Sequence, residues 1–504
     1  MKEFLQKLER IVTPARASTS AHVRFAYSSN VDPVLEAVPD YVAVPRTTEE
    51  VAEILRAANE EDVPVYPRGG GCCEFGGSKP VGDGGLVLDL KRLDQLHDLD
   101  EEGLVVTVGA GMSWGQLDAY LEPHGLYTGC MGPGSGQTAS IGGGISHHSV
   151  GGGGCAKYGA CTKQLVSLEV VLPTGDVINT GSQASRFSER PFGRFGNGPD
   201  LAGLFTGGNG IFGVITKVSL QVFPRPEFAE YKTFALRGNT ARVAAKVMTD
   251  VRRRGVDVYD LMYLPDILVL ALRERDVVVP WKGVRNANRG MIFYTVEGYT
   301  EAELAEKVRR LDEVMGKHKA KPLGPEVADG NVAKWHYVER GGWQLYHPLW
   351  GVTPTSHPLT AECFAPIAAF PKLLEELDSW EGEHSEDMDR IFSVAGSRPL
   401  VGSGPVLLLG ENNVEVTCGF TTYPHAELRD VNLRLWRSVV RLVTRFGAQW
   451  YMMGDFCSRQ FVEAGAYSPE YFALLCNLKR ALDPRNILSR GKFHLLEPEW
   501  GWAS

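Results

Sequence analysis

The sequence predicts an α+β protein of two domains, and three observations carry that expectation. A chain of 504 residues is too long for one ordinary core. Apolar runs of strand length alternate with helical patterns over residues 1–225. Glycine gathers in clusters between those runs: Gly69 to Gly71, Gly76-Gly77, Gly142 to Gly144 and Gly151 to Gly154. Glycine adopts positive φ and lets a ligand approach the backbone where a Cβ would block it. Successive N–H groups in such turns form anion-binding nests. Several nests in one neighbourhood imply a ligand with more than one phosphate, or a long polar ligand threaded through the domain. A flexible linker would lack the intervening strands.

Composition narrows the function classes. A net charge of -9 argues against nucleic acid as the main partner, since phosphate contacts want a basic face. No apolar run reaches the ~18 residues that a spanning helix needs. Met1 to Arg16 is a charged amphipathic segment without the apolar core of a signal peptide. The expected location is therefore cytoplasmic, with no membrane partner. The nine cysteines contain no Cys-x-x-Cys pair, so reduced and mostly buried thiols are expected, and no metal site.

In chain order, Thr47-Thr-Glu-Glu50 reads as a capping box ahead of a helix with Val51, Ile54, Leu55 and Ala58 at helical spacing. Val63 to Tyr66 is a short strand running into Arg68 and the first glycines. Leu86 to Leu90 and Leu104 to Val108 are two further strands, and Ser113 with Gln116 caps another helix. Val166 to Leu172 reads as a buried strand. Val214 to Val222 alternates with polar residues, as a half-buried antiparallel strand does. The unit closes near Pro224-Arg-Pro226. A dinucleotide suits these glycines, but not in the Rossmann manner. Gly109 to Gly115 has one residue too many for Gly-x-Gly-x-x-Gly, and no acidic residue lies suitably downstream.

From 226 to 435 the glycine clusters thin out, and a second, cap or substrate domain is expected. Its aromatics gather between Trp335 and Trp350, as core, as a subunit interface or as part of a substrate pocket. Val414 to Phe420 is strand-like, with Glu415 and Thr417 on one face. In residues 436–504, Ser468-Pro-Glu470 begins a helix whose expected buried stripe is Tyr471, Leu474, Leu475, Leu478 and Leu482. Asp483-Pro484 ends it.

Five segments in register resemble the FAD-linked oxidoreductases of the vanillyl-alcohol oxidase and p-cresol methylhydroxylase (PCMH-type) fold. They are Pro67 to Gly71 with Gly76-Gly77; Pro133-Gly-Ser135 with Ser140-Ile-Gly-Gly143; Lys157-Tyr-Gly159; Leu204 to Thr216; and Leu482 to Lys492. The resemblance implies an FAD-binding domain, a cap over the flavin ring, and a C-terminal segment returning to the first domain. It implies FAD contacts from Arg68, Gly69, Gly70, Gly71, Cys72, Gly76 and Gly77. Others would come from Pro133, Gly134, Ser135, Ser140, Gly142, Gly143, Gly144 and His147. Tyr158, Gly213, the backbone at Ile215 and Arg490 complete the set.

The departures from the family pattern matter as much. Where many relatives attach FAD through a histidine this chain has Cys72, so FAD held without a covalent link is expected. The vanillyl-alcohol branch can use a cap-domain histidine, and there Glu415 stands. The phenolate-holding positions align with Phe75, Tyr451 and Met452, which leaves one hydroxyl and no cation. The metal-dependent hydroxy-acid branch has two histidines where this chain has Leu408 to Glu415, and a Gly-Glu-His where it has Gly454-Asp455-Phe456. A metal is therefore not expected.

Tyr451 is the first candidate for a catalytic or substrate-orienting group, set against an ordinary buried tyrosine. Glu415, desolvated, has the chemistry of a general base, set against a salt-bridged strand residue. In His147-His148 the candidate catalytic residue is His148. Arg459 and Arg490 are candidates to neutralise a carboxylate substrate or the anionic edge of reduced flavin.

The expected activity is FAD-dependent oxidation of an alcohol or hydroxy-acid carbon. The flavin accepts the hydride, and oxygen or another acceptor takes the electrons. The alternatives are a para-alkylphenol oxidase and a flavin-binding electron-transfer subunit of a larger complex. Homo-oligomerisation is left open.

Overall fold

The computed structural model describes residues 2–28, 37–73, 76–196, 198–265, 290–324, 357–396, 399–410, 413–423, 425–451 and 455–496. Phe75, Met452, Gly454 and the aromatic stretch from Trp335 to Trp350 lie outside them.

The first domain holds two sheets. One has the order Ala17–Ser18, Tyr41–Ala43, Leu86–Asp89, Val65–Arg68, with its last three strands parallel. The crossover helix Thr48–Glu61 begins at Thr47, whose side chain accepts the Glu50 N–H. The return arm of the expected box goes elsewhere. Glu50 accepts the Arg46 N–H at 2.7 Å and grips the Arg16 guanidinium through both oxygens, so it does not fold back to Thr47. Val51, Ile54, Leu55 and Ala58 are fully buried, and Phe4, Leu8 and Val12 of the first helix join their core.

The second sheet is antiparallel, in the order Leu96–Asp100, Val105–Gly109, Val214–Gln221, Leu165–Val171, Val177–Asn179. Val214–Gln221 is its central strand and is not half-buried as the alternation predicts. Thr216 and Ser219 go inside with partners, while Lys217 and Gln221 reach the surface: Ser219 meets the Thr107 hydroxyl at 2.9 Å, and Thr216 donates to Glu169 at 2.9 Å.

The cap is an eight-stranded antiparallel sheet, ordered Lys321–Leu323, Phe228–Ala235, Met291–Gly298, Asp260–Leu264, Val401–Leu408, Asn413–Thr422, His357–Pro366, Gln449–Trp450. Helices cover one face, burying Val247, Leu311, Leu373 and Trp436 against Cys363 and Val416. The opposite face meets the first domain, where Phe364 and Leu409 join the core that includes Tyr451. The helix Arg429–Arg445 still packs on the cap sheet, and Trp450 pairs with Cys363. We therefore propose that the chain leaves the cap after Trp450.

It then returns to the first domain. Ile487 and Ser489 hydrogen-bond Val65 on both sides, extending the parallel sheet. The helix Pro469–Leu482 starts at Ser468 as expected, and Leu475, Leu478 and Leu482 of the expected stripe pack half-buried on the first domain's core, but the fully buried residues are Phe472, Cys476 and Lys479. Tyr471 and Leu474 are half-exposed. The face turns because Lys479 is an anchor: its ammonium reaches Asp483 at 2.6 Å, the Ile211 carbonyl at 2.8 Å and the Leu488 carbonyl at 2.7 Å. Among the described residues no helix is long and apolar enough to cross a membrane, and no His, Cys, Asp and Glu group could hold a metal.

Candidate functional site

Three of the four glycine clusters meet at one cleft, through Gly69 to Gly71, Gly77 and Gly142 to Gly144, while Gly151 to Gly154 stand off its lining. The strand Val65–Arg68 delivers Gly69 to Gly71 to its wall. Opposite stands the short helix Ile141–Ile145, capped by Ser140, whose hydroxyl accepts the Gly143 N–H at 3.2 Å. The two walls touch without room to spare. A Cβ on Gly69 would sit 2.0 Å from the Ser140 hydroxyl, and one on Gly70 would sit 2.0 Å from the Thr138 carbonyl. Gly143 differs, because its Cβ would meet only the Ser140 hydroxyl, at 3.0 Å. Its open side faces the cleft. Gly77, Pro133, Ser135, Gly142, Gly144, Gly213 and Ile215 complete the predicted lining.

Two buried polar atoms of the lining have no partner: His147 Nε2 and Asn209 Oδ1. They flank Gly77, where a Cβ would lie 2.8 and 3.1 Å from them. Such atoms are costly unless a ligand satisfies them. His147 Nδ1 faces the Gly143 carbonyl at 2.9 Å. Burial holds the ring's pKa down to about 4. The neutral ring thus carries its proton on Nδ1 and offers a bare acceptor at Nε2. Cys72 lines the same wall and sits 3.1 Å from the Thr138 hydroxyl.

Other predicted contacts lie off the lining. Arg68 braces it from behind, packing on Gly71 and donating to the Ser78 carbonyl at 3.3 Å. Gly76 turns the chain into Gly77 at φ +83°, and Gly134 lies between two lining residues. Tyr158 does not reach the cleft; its hydroxyl meets Tyr127 at 2.8 Å, and Tyr127 donates to the cap's Glu297 at 2.9 Å. Arg490 points outward to Asp62 at 2.7 Å, and Arg459 pairs with Glu463 on its own helix at 3.3 Å. His148 faces away as well, with Nδ1 2.9 Å from the Thr162 hydroxyl and its ring against Gly207. Sequence reasoning missed Asn209, Ser146 and Ser149. For Asn209 a signal existed in Gly-Gly-Asn-Gly, where Asn209 and both Gly207 and Gly210 take positive φ.

Above this cleft domain, the paired cap strands His357–Pro366 and Asn413–Thr422 present two acids. Glu415 pairs with Phe364, and Glu362 with Thr417, so all four share one face. That face is turned to the first domain, since the Phe364 ring lies 5.3 Å from Tyr451. Both carboxyls are buried. Thr417 donates to Glu415 at 2.9 Å, yet burial pushes Glu415 up to about 8. Glu362, absent from the predicted site, also accepts the Tyr451 N–H at 3.1 Å through its backbone carbonyl.

Tyr451 itself is a pin. Its hydroxyl accepts the Val150 N–H at 2.9 Å and donates to the Val150 carbonyl at 3.2 Å, next to the lining residue Ser149. Burial raises its pKa, so it is no phenolate at neutral pH. Tyr451→Phe would strand both Val150 groups, and should lower unfolding free energy in denaturant titration by roughly 1–3 kcal/mol. Unchanged stability would instead mark a hydroxyl free for proton transfer.

The domain content can now be stated. A family model described as FAD binding domain matches residues 39–181, and one described as FAD linked oxidases, C-terminal domain, matches residues 458–493. Together with the cleft they define a flavoprotein with the domains of the FAD-linked oxidases, and its cofactor is FAD. The residues present fit that group, as a glycine cradle with two partnerless buried polar atoms requires.

The chain is 32% identical over 271 residues to glycolate oxidase subunit GlcD of Bacillus subtilis (strain 168), covering 53% of this chain and 55% of the relative. It is 27% identical over 386 residues to the mitochondrial D-lactate dehydrogenase (cytochrome) of Arabidopsis thaliana, covering 75% and 63%. The chain thus spans less than two thirds of the length of these two relatives. Its fold is that of 4-ethylphenol oxidase from Gulosibacter chungangensis, solved as an isoeugenol complex. The TM-score is 0.82 at 16% identity, over 98% of this chain and 97% of the other. Substrate-bound p-cresol methylhydroxylase is similar, with TM-score 0.77 at 17% identity, covering 98% and 96%. The fold is therefore PCMH-type.

Proposed function

We propose that this protein is an FAD-dependent oxidoreductase acting on a carbon that bears a hydroxyl, in an alcohol or hydroxy acid. The carrying observation is Glu415, a buried carboxyl with a raised pKa on the cap face turned toward the cleft domain. Bound FAD supplies the hydride acceptor, at N5 of its ring. Glu415 takes the hydroxyl proton as the C–H bond breaks, and Thr417 fixes which oxygen faces the substrate. Tyr451 holds the Ser149 to Gly151 wall. The names of the relatives support a hydroxy acid, since glycolate and D-lactate both are. The partners are then a small-molecule substrate and an electron acceptor, oxygen or another. Free cysteines accord with a reducing compartment such as the cytoplasm.

Anaerobic mixing of the FAD-loaded chain with alcohols, hydroxy acids and para-alkylphenols, followed by flavin absorbance, tests this reading. The fastest bleaching should come from an alcohol or hydroxy acid. Fastest bleaching by a phenol would overturn it, and no bleaching by any would favour an electron-transfer subunit.

A further inference from the structure

We infer that Asn209 and His147 form an acceptor subsite at the Gly77 wall, which binds a donor-bearing part of FAD, a hydroxyl or a ring N–H, and keeps its phosphates away. This rests on FAD as the cofactor and not on the choice of substrate.

The backbone at Asn209 would suit glycine. Gly207, Asn209 and Gly210 take φ of +66°, +47° and +73°. Glycine meets that demand without a Cβ, and the chain uses it on both sides. Asparagine enters the left-handed region at some cost, so its side chain has a use that glycine lacks. The residue is held from two directions. Its N–H donates to the Ser146 carbonyl at 3.3 Å, and its carbonyl accepts the Ser489 hydroxyl at 3.1 Å. Asn209 is 5% exposed and lines the cleft, yet its Oδ1 has no partner.

Gly77 supplies the opening. Its φ lies outside the left-handed region, so its conformation does not call for glycine. The space around its missing Cβ does: His147 Nε2 would stand at 2.8 Å, Asn209 Oδ1 at 3.1 Å and the Cys73 sulfur at 2.8 Å. The thiol bonds neither acceptor, since both are without a partner. His147 is fixed as an acceptor there, with Nδ1 on the Gly143 carbonyl and a ring kept neutral at pH 7 by burial. Two bare acceptors thus surround one point of the lining.

That polarity selects the part of the ligand. FAD carries donors in the hydroxyls of its ribose and ribityl chain and in the N–H groups of its two ring systems. Its pyrophosphate has only acceptors, which two buried acceptors repel. Each acceptor is costly in a closed site until a donor reaches it.

Asn209→Gly removes the side chain and leaves a residue suited to φ +47°. FAD titrated into the apo-protein, followed by flavin fluorescence, should show a dissociation constant raised at least roughly tenfold. The melting temperature of the apo-protein should stay near wild type. Asn209→Asp keeps an acceptor and should bind FAD more tightly than Asn209→Gly. ADP and FMN, used as competitors, separate the two sources of the donor. Asn209→Gly and His147→Phe should both lose affinity for the same one of these fragments. Unchanged FAD affinity in Asn209→Gly would overturn the inference. So would weaker binding by Asn209→Asp than by Asn209→Gly, the order expected beside a phosphate. Losses on different fragments would dissolve the shared subsite, and an affinity loss matched by a fall in apo-protein melting temperature would assign the side chain to folding. A wild-type chain that takes up no FAD would instead defeat the cofactor assignment on which the inference stands.

Discussion

Gly143→Val is expected to leave the protein folded and without FAD. The distinction from its neighbours is steric. A side chain on Gly70 would drive into the Thr138 carbonyl, and one on Gly142 would stand 2.6 Å from the Ala110 methyl. Those variants distort the walls themselves. A Cβ on Gly143 meets only the Ser140 hydroxyl, and the branches of valine then extend into ligand space. Flavin absorbance of the purified variant should be lost while its far-UV circular dichroism is kept. Its melting temperature should match that of the wild-type apo-protein and fall below that of the loaded one, because bound ligand stabilises the native state by linkage. Acid should release FAD from wild type, with none left on the peptide that carries Cys72. Wild-type flavin content in Gly143→Val would mean that the glycines serve the turn alone.

The legible part of this protein was local. Thr47, Ser113 and Ser468 each cap a helix through the side-chain bond that their spacing predicts. The glycines mark the cleft because only close backbone approach needs so many of them in so few turns. Illegible features depended on partners distant in sequence. Glu362 reads as an ordinary polar residue until strand pairing sets it beside Thr417 and Glu415, some fifty residues on. The stripe of the last long helix held for Leu475, Leu478 and Leu482 and failed for Tyr471 and Leu474, because periodicity counts apolar residues. Its buried face is fixed by a lysine whose cost is met by one carboxylate and two carbonyls. Arg490 and Lys492 show the same limit at shortest range. Two cations two residues apart face opposite ways through the turn at Gly491, and a sequence pattern does not say which one enters.

Glu415→Gln should slow flavin reduction by roughly 10²-fold or more, as loss of a positioned base does. FAD content should not change, because Glu415 lies on the cap and not in the glycine lining. Glutamine keeps an oxygen for the Thr417 hydroxyl, so the strand geometry is preserved and the proton-accepting capacity alone is lost. The pH dependence separates this from a structural effect. Burial places Glu415 at about 8, above the ordinary 4.5. The wild-type reduction rate should therefore rise as pH climbs through about 8 and the base form appears, while the variant should lack that rise. Stability must move the opposite way. Between 4.5 and about 8 the folded chain still holds a proton that the unfolded chain has released. The stabilisation is whole below that window and is lost as pH rises through it. Denaturant titrations at its two ends should show Glu415→Gln gaining on wild type toward the alkaline end. Parallel rate and stability profiles for the two proteins would remove Glu415 from the proton path.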